Sequence, residues 1–147
     1  MLKKFGRMYL AAAMATGIAC AASAGGVTDT EIVVGTHLDL SGPVAAAMPP
    51  LRNGMQMRLD EANEAGGVNG RKFRLVVEDN AGQPQMAVRV VDKLIRQDDV
   101  FAILNPFGSG ANAAVVKRSV DAGVIYFAPW AASAVIQGQS LASCQSA

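Results

Sequence analysis

The residues able to do chemistry are few, and they cluster at the ends of apolar runs. Gly108-Ser109-Gly110 follows the run FAILNPF and opens a stretch of helical periodicity. A strand running into such a turn aims free backbone N–H groups and the Ser109 hydroxyl past the strand end, a geometry suited to a carboxylate or other anion. Glycines in that position also serve tight turning alone. Gly108, Gly110 and Ala113 fit the form G-x-G-x-x-A. A dinucleotide site, however, also needs an acidic residue at the end of the next strand. Here Asp121 precedes that strand, whose end carries Ala128-Pro129-Trp130.

His37 is the sole histidine, and Asp39 lies two residues on, on the same face of a strand. Without a nucleophile the pair reads as a cleft hydrogen bond rather than half of a hydrolytic triad. One histidine and two separated cysteines make no metal-ligand set, and phosphate-loop spacing is absent. Trp130 suits a ligand-facing position and a core position equally. The expectation is a binding protein without metal or cofactor, not an enzyme.

The elements that must position these residues alternate regularly. Residues 31–36 form a β-branched run that continues to Leu40 and stops at Ser41-Gly42-Pro43. Pro49-Pro50 precedes a helix with Leu51, Met55 and Leu59 inward and Arg58, Asp60, Glu61 and Glu64 toward solvent. Gly66-Gly67 caps it, and Asn69-Gly70 marks a tight turn before a second strand over residues 73–78. Pro84 starts a second helix with Ala87, Val90, Val91, Leu94 and Ile95 as its buried stripe. Residues 101–104 read as a third strand buried on both faces. A third helix over residues 111–122 is expected to bury Ala113, Val116 and Val120, with Gly123 capping it before a fourth strand over residues 124–127. Strand–helix alternation with short connections predicts an α/β, doubly wound parallel sheet. Its ligands bind beyond the C-terminal strand ends.

The N-terminus sets the compartment. Lys3, Lys4 and Arg7 precede an uncharged, alanine-rich core over residues 8–22, and Ala22-Ser23-Ala24 supplies a cleavage pattern ahead of Gly25. A spanning helix needs about 20 strongly apolar residues, and this core is shorter and diluted with Ala and Gly. Residues 1–24 are therefore expected to be a cleaved signal peptide, giving a periplasmic product. A lipoprotein anchored through Cys20 is the lesser alternative, because Gly17 stands where the lipid box wants Leu, Val or Ile. Cleavage leaves Cys144 with no partner for a disulfide. It also takes the 13 Lys+Arg down by Lys3, Lys4 and Arg7 against 12 Asp+Glu, a mature charge near −2. With Arg71, Lys72 and Arg74 its main basic group, the mature chain has no nucleic-acid stripe.

The segments Ser41-Gly42-Pro43, Asn53-Gly54, Asn63-Glu64-Ala65-Gly66-Gly67-Val68-Asn69-Gly70, Glu78-Asp79 and Asp121-Ala122-Gly123 together resemble the periplasmic branched-chain amino-acid-binding proteins. These are type I substrate-binding proteins of ABC importers, and the similarity runs over roughly residues 30 to 136. The resemblance implies the N-terminal lobe of a two-lobe binder, residues 25–136, with the second lobe absent. Residues 137–147 are then read as a truncated or frame-shifted tail. It also implies that a serine after the third strand, here Ser109 with Gly108 and Gly110 around it, holds the ligand's charged head. The turn after the fourth strand, Ala131, Ala132 and Ser133, completes that grip, and residues 41–47, from Ser41 to Ala47, line a side-chain pocket. Ala132 stands where leucine-type binders carry a threonine hydroxyl, which leaves room for an amide, an aromatic acid or another small organic ligand in place of a standard α-amino acid. Positions of a disulfide found in some members fall on Gly82 and Gly108. The implied partners are a small-molecule ligand and ABC permease subunits, with a monomeric full-length protein. The same lobe also serves ligand sensors that feed a receptor or regulator.

Overall fold

In the computed structural model, residues 25–136 are described; the expected signal peptide, Cys20, Cys144 and the tail lie outside them. The elements run β1 (Glu31–Leu38), a 3-10 turn (Ala45–Ala47), α1 (Met48–Glu64), β2 (Lys72–Asp79), α2 (Pro84–Arg96), β3 (Ala102–Leu104), α3 (Ser109–Asp121) and β4 (Ile125–Phe127). All four strands are parallel in the order β2-β1-β3-β4. Chain order reverses between β1 and β3, which places a crevice beyond their C-terminal ends.

The turns are set by residues that tolerate left-handed backbone. Gly67, at φ 73°, ends α1, and a Cβ there would lie 2.0 Å from the Arg71 carbonyl oxygen. Asn69 and Gly70, at φ 51° and 81°, make a two-residue turn closed by paired Val68–Arg71 backbone bonds of 2.9 and 3.0 Å. Asn63, near the end of α1, reaches the outer edge of β2: its amide donates to the Phe73 carbonyl at 2.9 Å and accepts the Phe73 N–H at 2.7 Å.

The core lies between the sheet and the α2/α3 pair. Val33, Ile103, Ala87, Val91, Leu94, Ala111 and Val115 interlock there. Gly35 leaves room for the Leu94 methyls, which would lie 3.0 and 3.2 Å from a Cβ. The stripe expected for α2 is borne out at Ala87, Val90, Val91 and Leu94, with Ile95 half-buried. For α3 it is corrected. The buried face is Ala111, Asn112, Val115, Val116 and Ser119, while Val120 is exposed and Ala113 only half-buried. The helix is rotated because two polar residues belong to its inner face.

The opposite side of the sheet is thinly covered. α1 packs on β2, and of its residues only Met48 is fully buried; Leu51, Met55 and Leu59 are half-buried. Beside them lies an apolar groove of about 520 Å³ reaching Leu104 and Phe127. Leu104 is consequently half-buried, correcting the expectation of a third strand enclosed on both faces. Thr36, fully buried in β1, has a hydroxyl without a hydrogen-bond partner. An unpaired buried hydroxyl costs about 1 to 3 kcal/mol. Thr36→Val is therefore expected to stabilise the fold by about 1 kcal/mol, read as a higher urea midpoint at unchanged m-value.

Candidate functional site

The loops beyond β1, β3 and β4 are stitched together by backbone bonds. The Phe107 N–H donates to the His37 carbonyl at 3.0 Å, hooking the β3 loop onto the end of β1. The Trp130 N–H donates to the Pro106 carbonyl at 2.9 Å, and the Gly108 N–H to the Trp130 carbonyl at 3.2 Å. These bonds extend the sheet by one step and bring the β4 loop against the start of α3. Gly108, at φ 110°, is the N-cap of α3, and Ser109 is its first helical residue. The Ser109 hydroxyl therefore does not cap its own helix. Its Oγ instead accepts the Ala132 N–H at 3.0 Å.

That bond leaves the Ser109 hydroxyl proton to donate outward. The first intrahelical bond runs from Asn112 N–H to the Gly108 carbonyl at 2.8 Å, so the amides of Ser109, Gly110 and Ala111 precede the helical ladder and carry its positive end. Gly108 contributes no side chain to cap them. Gly110 is not conformationally required, since a Cβ there would meet only Pro84 at an ordinary 3.5 Å. Trp130 is 58% exposed and meets Phe107 edge-on, with centroids 5.6 Å apart at 82°. This places it on the rim and not in the core.

The β1 loop is held separately. Asp39 is buried, and its carboxylate accepts the Gly42 N–H at 2.6 Å and the Val44 N–H at 3.1 Å. A Cβ on Gly42 would lie 2.3 Å from Asp39 Oδ1, so glycine is required there. Asp79 accepts the Leu40 and Ala81 amides at 2.9 and 2.8 Å. Partial burial raises its pKa, but the Ser41 hydroxyl and the surrounding amides outweigh this and hold it below the usual carboxylate range. Ser41 thus serves the loop scaffold, and exposed Ala47 ends the 3-10 turn. Ser109, Gly108, Gly110 and Ala132 come together; Ser133 and Ala131 flank them in sequence.

His37 and Asp39 turn to different partners. His37 is fully buried, with Nδ1 2.8 Å from the Asn80 amide nitrogen and Nε2 2.9 Å from the Tyr126 hydroxyl. Burial lowers its pKa to about 4. Among the described residues no three His, Cys, Asp or Glu side chains gather as a metal site would require.

A sequence model described as periplasmic binding protein matches residues 31–144. The chain belongs to the periplasmic binding protein family. Among its relatives, a Leu/Ile/Val-binding protein of Rhizobium johnstonii is 34% identical over 101 residues, covering 69% of this chain and 27% of that protein. Of solved structures, the branched-chain amino acid transporter substrate binding protein LivJ of Streptococcus pneumoniae, in complex with isoleucine, aligns at TM-score 0.68 and 32% identity. That alignment spans 75% of this chain and 32% of the other. A fatty acid ABC transporter substrate-binding protein from Thermomonospora curvata aligns at TM-score 0.64 and 31% identity, over 72% and 27% of the two chains. The chain therefore spans about a third or less of these relatives' lengths.

Within this family architecture, the sequence pattern located the strand-end loops but missed the polar groups behind them. Asn80, Asn112 and Tyr126 read as ordinary turn, helix and strand residues. Apolar periodicity registers none of the three, because each is held by a polar partner from another element.

Proposed function

We propose that this chain forms the ligand-gripping N-terminal lobe of an extracytoplasmic solute-binding component of an ABC importer. Its solute is an amino acid or a related small carboxylate or amide. The observation that carries the reading is the Ser109–Ala132 hydrogen bond. It joins the β3 and β4 loops beside three open helix amides, where a ligand carboxylate would accept from Ser109, Gly110 and Ala111. Trp130 and Phe107 offer an apolar wall next to that point, suited to a side chain or ring. The family and the charged N-terminal leader support secretion, with a mature N-terminus at Gly25 and delivery to permease subunits in the membrane.

Ala132 gives its N–H to Ser109 and has no hydroxyl, so the grip on an α-ammonium group is weaker than the grip on the carboxylate. Calorimetric titration of the full-length protein that contains these residues is the test, with isoleucine, an aromatic carboxylate, a short amide and a fatty acid. Binding of at least one carboxylate, weakened about tenfold or more by Ser109→Ala, is expected, which corresponds to roughly 1.4 kcal/mol for one charge-assisted bond. Silence across the panel would sink the importer reading.

A further inference from the structure

Behind the rim runs a chain of buried polar side chains in which backbone groups fix every orientation. The Asn80 Oδ1 accepts the Gly82 N–H at 2.8 Å, so its Nδ2 must face the other way. There it donates to His37 Nδ1 at 2.8 Å and to the Phe107 carbonyl at 3.2 Å. At the far end, Asn112 Nδ2 donates to the Pro106 carbonyl at 3.0 Å, so its Oδ1 must accept, and it does so from the Tyr126 hydroxyl at 2.8 Å. The tyrosine proton is thus spent on Asn112, and its oxygen is left to accept from His37 Nε2 at 2.9 Å. Only the neutral imidazole with its proton on Nε2 satisfies both ring partners, Asn80 and Tyr126. The two carbonyls that close the circuit belong to Pro106 and Phe107, the residues that tie the β3 loop to Trp130 and to β1.

We propose that His37 is the positioning residue of the rim: as the neutral Nε2–H tautomer it locks the loops carrying Ser109 and Trp130, and its protonation releases them. A proton on Nδ1 would face the Asn80 amide hydrogens. Asn80 cannot turn over without losing Phe107 and confronting the Gly82 N–H. The charged groups around the imidazole are committed elsewhere. Asp39 on its own strand serves the Gly42 and Val44 amides. On β2, Asp79 serves Leu40 and Ala81, and Glu78 pairs with Lys93 of α2, which also holds Asp98. From β4 and α3 come only Tyr126 and Asn112. No carboxylate is hydrogen-bonded to the ring to stabilise its charged form. The importance of the rim for ligand rests on the function proposed above, but the test needs no ligand.

The chain holds one histidine and one tryptophan, and Trp130 sits on the joint that His37 locks. The experiment is a pH titration of the 147-residue chain from neutrality downward. It follows Trp130 emission anisotropy, the imidazole ¹⁵N shifts and far-UV circular dichroism together. Anisotropy is expected to fall with the same midpoint as the imidazole, near pH 4, while the circular dichroism is retained. His37→Gln should remove that transition. Asn80→Asp, which sets an anion against Nδ1, should move the midpoint of the imidazole ¹⁵N transition upward by about one pH unit or more. Anisotropy that stays flat through the imidazole titration would overturn the proposal. So would an unchanged transition in His37→Gln, or in Asn80→Asp if His37→Gln fails to fold. Loss of circular dichroism in step with anisotropy would show His37 to be a fold residue only, and would overturn it as well.

Discussion

A polypeptide limited to these 147 residues is expected to bind isoleucine or a comparable small carboxylate only at millimolar concentration or weaker. The grip lies on an open rim: Ser109 and Gly110 are exposed, as are Ala132 and Trp130 beside them. Small-molecule sites of useful affinity bury about 70 to 90% of the ligand's surface, and a single rim can touch one side. A carboxylate held there stays largely in water, where charge–dipole attraction is strongly screened. Falling from about micromolar to about millimolar is a loss of roughly 4 kcal/mol, the scale of the contacts an opposing wall would supply. Titration calorimetry on the monodisperse monomer is the measurement. A micromolar dissociation constant would show the rim to be sufficient by itself.

Stability is expected to drop by about 3 kcal/mol between pH 7 and pH 4 through His37 alone. Its pKa is about 4 in the folded chain against 6.5 when unfolded. Between those values the unfolded chain binds the proton and the folded chain does not, so acid favours unfolding. The contribution is fully present above pH 6.5, declines as pH falls, and is lost once pH passes the folded value near 4. Asp79, whose pKa is also lowered, adds to the same direction only below its unperturbed 3.8, so the two windows are separable. Urea unfolding at several pH values should show the steep segment in the wild-type chain and a nearly level one in His37→Gln. Equal slopes in the two proteins would mean that other groups carry the acid sensitivity.

Much of the scaffold was legible because it rests on periodicity and turn chemistry. The α2 stripe, the Gly66-Gly67 cap and the Asn69-Gly70 turn each follow from local rules that distant contacts do not alter. The α3 face was misread for a physical reason. Apolar periodicity weighs Val120 above Asn112 and Ser119, yet the burial of Asn112 is set by Tyr126 and Pro106, a demand that appears only once β4 lies beside β3. The inward face of α1 was correctly named, but its half-burial depends on how much lies over β3 and β4, which no residue of α1 encodes. At the site, Ser109 stood out as a hydroxyl at a glycine turn. Its hydrogen bond to Ala132 spans 23 residues and depends on the Phe107–Trp130 pairing. The same applies to His37. As a lone histidine beside an aspartate it suggested a small hydrogen-bonded pair, whereas its partners come from three other elements.

The hydrogen bonds between Asn63 and Phe73 make the two borders of the sheet unequal. At the β2 border, the Phe73 N–H and carbonyl are already occupied by a side-chain amide that mimics a pairing strand. At the β4 border, among the described residues, no further strand is paired, and Ile125 and Phe127 are 49% and 61% exposed. Filament growth by strand stacking requires two receptive edges per molecule, one to accept and one to pass on. A sheet receptive on one side only can meet a copy of itself edge to edge, and both receptive edges are then consumed. The Asn63–Phe73 bonds therefore disfavour, at one border, the step that a growing fibre has to repeat.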